Sequence, residues 1–154
     1  MIKKYLFAFV LLVSIPGFGQ YLSFSEMNKI LDFGKDTSGI DLYMMGKGFL
    51  LNTQSSDTNG FSIIYESLFD GDDYFVGLFE DHQNNLFTVI EYTKSHGRWE
   101  VYINGAKENG FVFSGMKKPA EDSTYFTYLK EELLLGLLVK KNEDGVKYQF
   151  SFTR

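Results

Sequence analysis

The stretch Arg98-Trp99-Glu100-Val101-Tyr102-Ile103-Asn104-Gly105-Ala106-Lys107-Glu108-Asn109-Gly110 decides the fold, because it reads two ways. Trp99, Tyr102, Ile103 and Ala106 sit at i, i+3, i+4 and i+7, the spacing of one helix face, and Asn109-Gly110 is a good helix stop. Trp99, Val101 and Ile103 also alternate as in a strand, ahead of Asn104-Gly105, the best two-residue hairpin turn in the chain. A glycine inside a helix costs about 1 kcal/mol relative to alanine, which favours the hairpin. The rest of the chain tips the balance the other way.

Working outward, the sequence states one plan twice. A helical stretch ends in Gly48-Phe49 and another in Gly110-Phe111, 62 residues apart. Apolar segments with a central glycine recur as Phe75-Val76-Gly77-Leu78-Phe79 and Leu134-Leu135-Gly136-Leu137-Leu138. Closing strands recur as Phe87-Thr88-Val89 and Tyr148-Gln149-Phe150. A shared period of this kind predicts two copies of one unit, and the second copy needs a helix over residues 99–109. It also makes strands of residues 128–141, whose Leu, Lys and Glu favour helix by propensity.

Local signals fill in each unit. Ser23-Phe24-Ser25-Glu26 fits a capping box ahead of Met27, Ile30 and Leu31, and Ser38 is placed to cap a second short helix through Met45. Residues 55–60, 70–73 and 142–145 carry the Asp, Asn, Ser and Gly of tight turns. Strands so joined are antiparallel. The expectation is an α+β protein, a tandem repeat of helix plus four-stranded antiparallel meander, with the helices packed on one sheet face.

In element order this plan resembles the β-lactamase inhibitory proteins, which bind enzymes on a broad sheet face. The resemblance covers most of residues 20–154 as an arrangement of elements. It implies an inhibitor-like binding module and carries over no functional residue. The disulfide cysteines of those proteins have no counterpart here.

Residues 1–19 read as a secretory signal peptide. Lys3 and Lys4 precede an apolar run over 5–13 that is too short to span a bilayer, and Gly17-Phe18-Gly19 offers small residues for cleavage. The expected organisation is therefore signal 1–19, first repeat 20–93 and second repeat 94–154, with a product that is exported, periplasmic or extracellular. Cysteine is absent, which leaves no disulfide staple, thiol nucleophile or lipoprotein anchor. A chain that is 44% hydrophobic and 18% aromatic is too apolar for disorder. Residues 20–93 hold three lysines against twelve acids, a balance that disfavours nucleic acid and anionic membrane.

Chemical motifs are few. His82 lies in the polar run Glu80-Asp81-His82-Gln83-Asn84-Asn85, which reads as a hairpin loop. His96 precedes the Trp99 stretch with no obvious partner nearby. Asp70, Asp72 and Asp73 form an acidic turn that runs straight into a strand instead of continuing as a calcium loop. Glu66 and Glu91 are isolated carboxylates whose separation sequence alone leaves open. No nucleophile elbow, zinc helix or phosphate loop is present. The reading is accordingly non-catalytic, without cofactor or metal.

Strand alternation supplies the one candidate surface. Tyr148, Phe150 and Phe152 alternate with Lys147, Gln149 and Ser151, so the aromatic set faces the core. Transferred to the first repeat, Phe87 and Val89 face inward, and Leu86, Thr88, Ile90 and Tyr92 face outward, joined by Ile64 and Glu66. Such an apolar row predicts contact with a protein partner or a homodimer; burial of the strand on both faces, by a dimer or a loop, explains it equally. The alternative function is an envelope enzyme or small-ligand binder with a pocket between the repeats.

Overall fold

A computed structural model describes residues 21–34, 36–68 and 74–154. The signal-peptide reading of 1–19 and the acidic turn Asp70, Asp72, Asp73 lie outside the described residues. The described chain is α+β, with three helices and one eight-stranded antiparallel sheet. In chain order the elements are α1 (Phe24–Phe33), α2 (Thr37–Gly46), β1 (Phe49–Asp57), β2 (Gly60–Ser67), β3 (Tyr74–Asp81) and β4 (Leu86–Thr93). They continue with α3 (His96–Glu108), β5 (Val112–Ala120), β6 (Ser123–Lys130), β7 (Leu133–Asn142) and β8 (Gly145–Thr153).

Sheet order is β1-β2-β3-β4-β8-β7-β6-β5. Two meanders therefore meet at β4 and β8, the last strand of each, which pair antiparallel with Val89 opposite Phe152 and Glu91 opposite Phe150. This junction is the middle of the sheet and of the core. Val89, Phe150, Phe152, Leu135 and Leu137 are fully buried.

Helices α1 and α2 start on side-chain caps. Ser23 and Glu26 close the expected capping box on α1, and Met27, Ile30 and Leu31 form its buried stripe. The cap of α2 is Asp36, not Ser38: its carboxylate accepts the Gly39 N–H at 3.1 Å, a stronger interaction than a hydroxyl provides beside the positive helix end. The α3 stretch is helical through the Asn104-Gly105 pair. Gly105 is there for packing. A Cβ at that position would collide with the ring of Phe24 on α1, and Phe24 in turn packs on Tyr102, Phe111 and Phe152 at 5.8, 5.8 and 5.0 Å between ring centroids. Close approach of two helices, which only glycine allows, outweighs the propensity cost.

The two glycine-phenylalanine pairs do the same job twice. Gly48 and Gly110 follow α2 and α3 with φ of 83° and 76°, a left-handed turn that drives Phe49 and Phe111 back into the core. Residues 128–141 form β6 and β7 as the strand reading expects, with Glu131 at φ 53° making the turn between them.

Candidate functional site: the outer sheet face and the buried charge beneath it

Pairing register sorts the strand residues into rows that cross the sheet. One row on the face away from Val89 runs Ser55, Ser62, Phe79, Thr88, Thr153, Leu134, Leu129, Val112. The next runs Thr53, Ile64, Gly77, Ile90, Ser151, Gly136, Thr127, Gly115, and a third Leu50, Glu66, Phe75, Tyr92, Gln149, Leu138, Tyr125, Lys117. Across three rows and eight strands, charge appears only at Glu66 and Lys117.

All six residues singled out from the sequence lie on this face. Ile64, Glu66, Thr88, Ile90 and Tyr92 are half-buried, and Leu86 at the strand start is exposed. Register brings Ile64 and Ile90 to either side of Gly77, and Glu66 and Tyr92 to either side of Phe75. Thr88 is hydrogen-bonded to Thr153 across the β4–β8 junction at 3.0 Å, and Glu66 accepts from Asn52 at 2.9 Å. Burial raises the Tyr92 hydroxyl above the ordinary tyrosine range, as expected for a phenol part-shielded among neighbours.

The middle row would be a trench of small residues without its aromatic neighbours. The Phe79 ring lies over Gly77, within 2.7 Å of where a Cβ would stand, and the Tyr125 hydroxyl lies over Gly136. These two aromatic side chains occupy the space a Cβ would need at the two glycines. This explains why both apolar segments carry a central glycine.

Beneath the sheet, on the core side, sits a group that sequence reasoning missed. Glu91 is fully buried in β4, and Arg98, 6% exposed on the first turn of α3, meets it with Nε and Nη2 both at 2.6 Å. Tyr102 donates to the same carboxylate at 2.7 Å. Nη2 of Arg98 also donates to the Leu22 carbonyl at 2.5 Å, and the Leu22 N–H donates to the Tyr74 hydroxyl at 3.0 Å. The rings of Tyr21 and Tyr102 flank the guanidinium at 5.2 and 5.3 Å. Burial alone would depress Arg98, but the Glu91 carboxylate holds its pKa above the usual value. Burial, then the Glu91 charge, pushes Tyr74 and Tyr102 well above theirs. A charge pair so enclosed clamps α3 and the start of α1 onto β4.

The signal for it was present. If Val89 faces inward, Glu91 does too, and an inward carboxylate needs a cation; Arg98 falls one helix turn before Tyr102. The same alternation separates Glu66 from Glu91. They lie on opposite faces of the sheet and cannot act as an acid–base pair.

The histidines are placed with equal clarity. His82 contacts Glu80 at 2.9 Å on the exposed β3–β4 turn. His96 does have a partner, the Tyr148 hydroxyl at 2.7 Å, which corrects the sequence reading: the contact spans 52 positions and no local pattern announces it. Among the described residues, no three metal-binding side chains converge, and no helix is long and apolar enough to cross a membrane.

One cleft of about 440 Å³ lies where α1, the end of α3 and the β6–β7 turn meet, lined by Phe24, Asn28, Phe111, Lys130, Glu131 and Arg154 among others. The side-chain oxygen of Asn28 is buried without a hydrogen-bond partner. Compared with protein-family models, curated proteins and solved structures, the chain matches none.

Proposed function

We propose that this chain is an exported, non-catalytic binding module, inhibitor-like in the sense that it works by covering another protein with its open β-sheet face. In this reading the two meanders are a tandem repeat, each preceded by helix, and the helices cover the core face and leave the other free. Support for the repeat comes from paired details: Gly48 with Gly110, and Gly77 with Gly136 each lying against an aromatic side chain. Export rests on the composition of residues 1–19.

The single observation that carries the binding role is the near-absence of charge across the three outer rows, where Ile64, Phe75, Phe79, Ile90 and Tyr92 are only half-buried. A monomer gains nothing from half-buried aromatic and aliphatic side chains set in so uncharged a face, whereas a docking face gains anchors from them. The Tyr92 ring is amphipathic and stiff, a favourable anchor.

The test is a photo-crosslinking side chain at position 92, with the same group at exposed Lys107 as control, in cells that express the full chain. A discrete adduct at 92 that Ile90→Asp abolishes supports the reading. Equal labelling at both positions, or an adduct indifferent to Ile90→Asp, contradicts it.

A second reading, small-ligand binding, is favoured by the Asn28 cleft and its unpartnered oxygen. Heat capacity and melting of Asn28→Leu separate the two: a structural orphan becomes more stable on this change, while a ligand site loses ligand-dependent stabilisation.

A further inference from the structure

The two edges of the sheet are built differently. β5 carries Lys117, Lys118 and Pro119 and two irregularities of register, the devices that keep an edge strand from accepting another chain. β1 is exposed along its whole length after Phe49. Residues 50–56 contain neither charge nor proline, and the one irregularity lies between Leu51 and Thr53. Among the described residues β1 is hydrogen-bonded along one side only, to β2. Its other side offers a row of backbone donors and acceptors.

Beside that edge is a cleft of about 350 Å³ lined by Asp41, Met45, Leu50, Leu51 and Tyr65. Met45 is 61% exposed, and Leu50 and Leu51 are each 49% exposed. Leu51 pairs with Tyr65 and Leu50 with Glu66, so the two leucines address opposite faces. A strand laid along β1 would therefore send alternate side chains to two different surroundings. One set meets Met45, Leu51 and the Tyr65 ring, whose hydroxyl donates to Asp41. The other meets Leu50 and Glu66. Both surroundings are acidic: Asp41, Asp57 and Glu66 border the edge, and the nearby cation Lys47 is already paired with Glu26.

We propose that β1 and the α2 cleft form a strand-addition site for an extended peptide in which apolar residues alternate with basic ones. Backbone pairing supplies affinity, and the cleft reads the apolar side chains. The basic residues complement Glu66 and the acidic border. A second copy of the chain is the poorer occupant, because two-fold antiparallel pairing of β1 with itself brings the Asp57 end of one copy toward the Asp41 and Glu66 end of the other, acid facing acid. The site is separate from the outer face and does not depend on its role.

The probe is a blocked peptide of alternating valine and lysine, as long as β1, titrated into isotope-labelled protein. Saturable shifts and slowed amide exchange confined to β1 and the α2 cleft are expected. Leu51→Lys and Met45→Lys, both at exposed positions, should weaken binding about tenfold or more while the remaining spectrum stays native. A valine–glutamate peptide should not bind, nor should the lysine peptide N-methylated at alternate residues, which loses the backbone donors. Binding of either control as tight as the probe overturns the proposal. So do shifts centred on Ile90 and Tyr92, unaltered binding by Leu51→Lys, or self-association that Leu51→Lys dissolves.

Discussion

Arg98 and Glu91 make a two-point contact at 2.6 Å in the core, seven residues apart in sequence and on different elements, α3 and β4. Burying two charges costs several kcal/mol each before their attraction is counted, so such a pair adds little net stability over an apolar substitute. Its value is directional. Only one placement of α3 on the sheet satisfies the carboxylate, the guanidinium, the Tyr102 hydroxyl and the Leu22 carbonyl together.

The pair should therefore behave asymmetrically in a double-mutant cycle. Arg98→Met leaves Glu91 buried and unpaired and should cost about 3–5 kcal/mol. Arg98→Met with Glu91→Leu should recover most of that loss. Tyr102→Phe, which removes one hydrogen bond to a charged acceptor, should cost about 1.5–3 kcal/mol. Urea unfolding of the parent, Arg98→Met, Glu91→Leu, the double variant and Tyr102→Phe measures this; a double variant as unstable as Arg98→Met would show that the carboxylate is not the source of the penalty.

Gly105 offers a second test, in which two rules of helix stability oppose each other. Alanine in mid-helix gains about 1 kcal/mol in propensity over glycine. Here its methyl would strike the Phe24 ring, and overpacking of a full core costs about 1–3 kcal/mol. Gly105→Ala should lower the melting temperature, and Phe24→Leu in the same chain should relieve part of the loss. A stabilising Gly105→Ala would mean that α1 yields easily at this crossing.

These two sites also mark where sequence reading stops. Periodicity and turn chemistry were enough for the capping box, both glycine-phenylalanine turns and the strands of the first half, because those signals are local; residues 128–141 read as strand only by comparison with that half, against their helical propensity. Asn104-Gly105 was ambiguous because the reason for the glycine is Phe24, some eighty positions away, and no window contains both. The outer row was legible from alternation alone. The full face was not, since it needs the β4–β8 junction that sets Ser151 and Gly136 beside Ile90. Glu91 was read as an isolated carboxylate because its partners, Arg98 and Tyr102, come from a different element, α3.

Alkaline pH should unfold this protein abruptly. Burial raises the Tyr65, Tyr74 and Tyr102 hydroxyls above their ordinary value of 10.0, and Asp41 and Glu91 add to the effect. A group with a raised folded pKa contributes stability that is whole below its unfolded pKa and is lost as pH rises toward the folded one. Stability should thus be flat up to about pH 10 and fall steeply above it. Tyrosinate absorbance and circular dichroism should change together. Gradual ionisation of all the tyrosines with the fold intact would show that these hydroxyls are more accessible than their burial implies.

The outer face can be tested against the core with two adjacent residues. Val89 is fully buried opposite Phe152, while Ile90, half-buried, lies opposite Ser151 on the other face. Val89→Asp places an unpaired carboxylate in the core at a cost of several kcal/mol or more, enough to unfold a domain of ordinary stability. Ile90→Asp, open to water on its side of the sheet, should cost about 1 kcal/mol and leave the circular dichroism spectrum native. It should nevertheless abolish partner contact on that face, because a charge at the centre of an apolar interface is desolvated without a mate. If both variants unfold, the strand is buried on both sides and the open face does not exist. If Ile90→Asp folds and every contact made by Tyr92 survives, the face is ordinary surface and the binding role belongs elsewhere on the molecule.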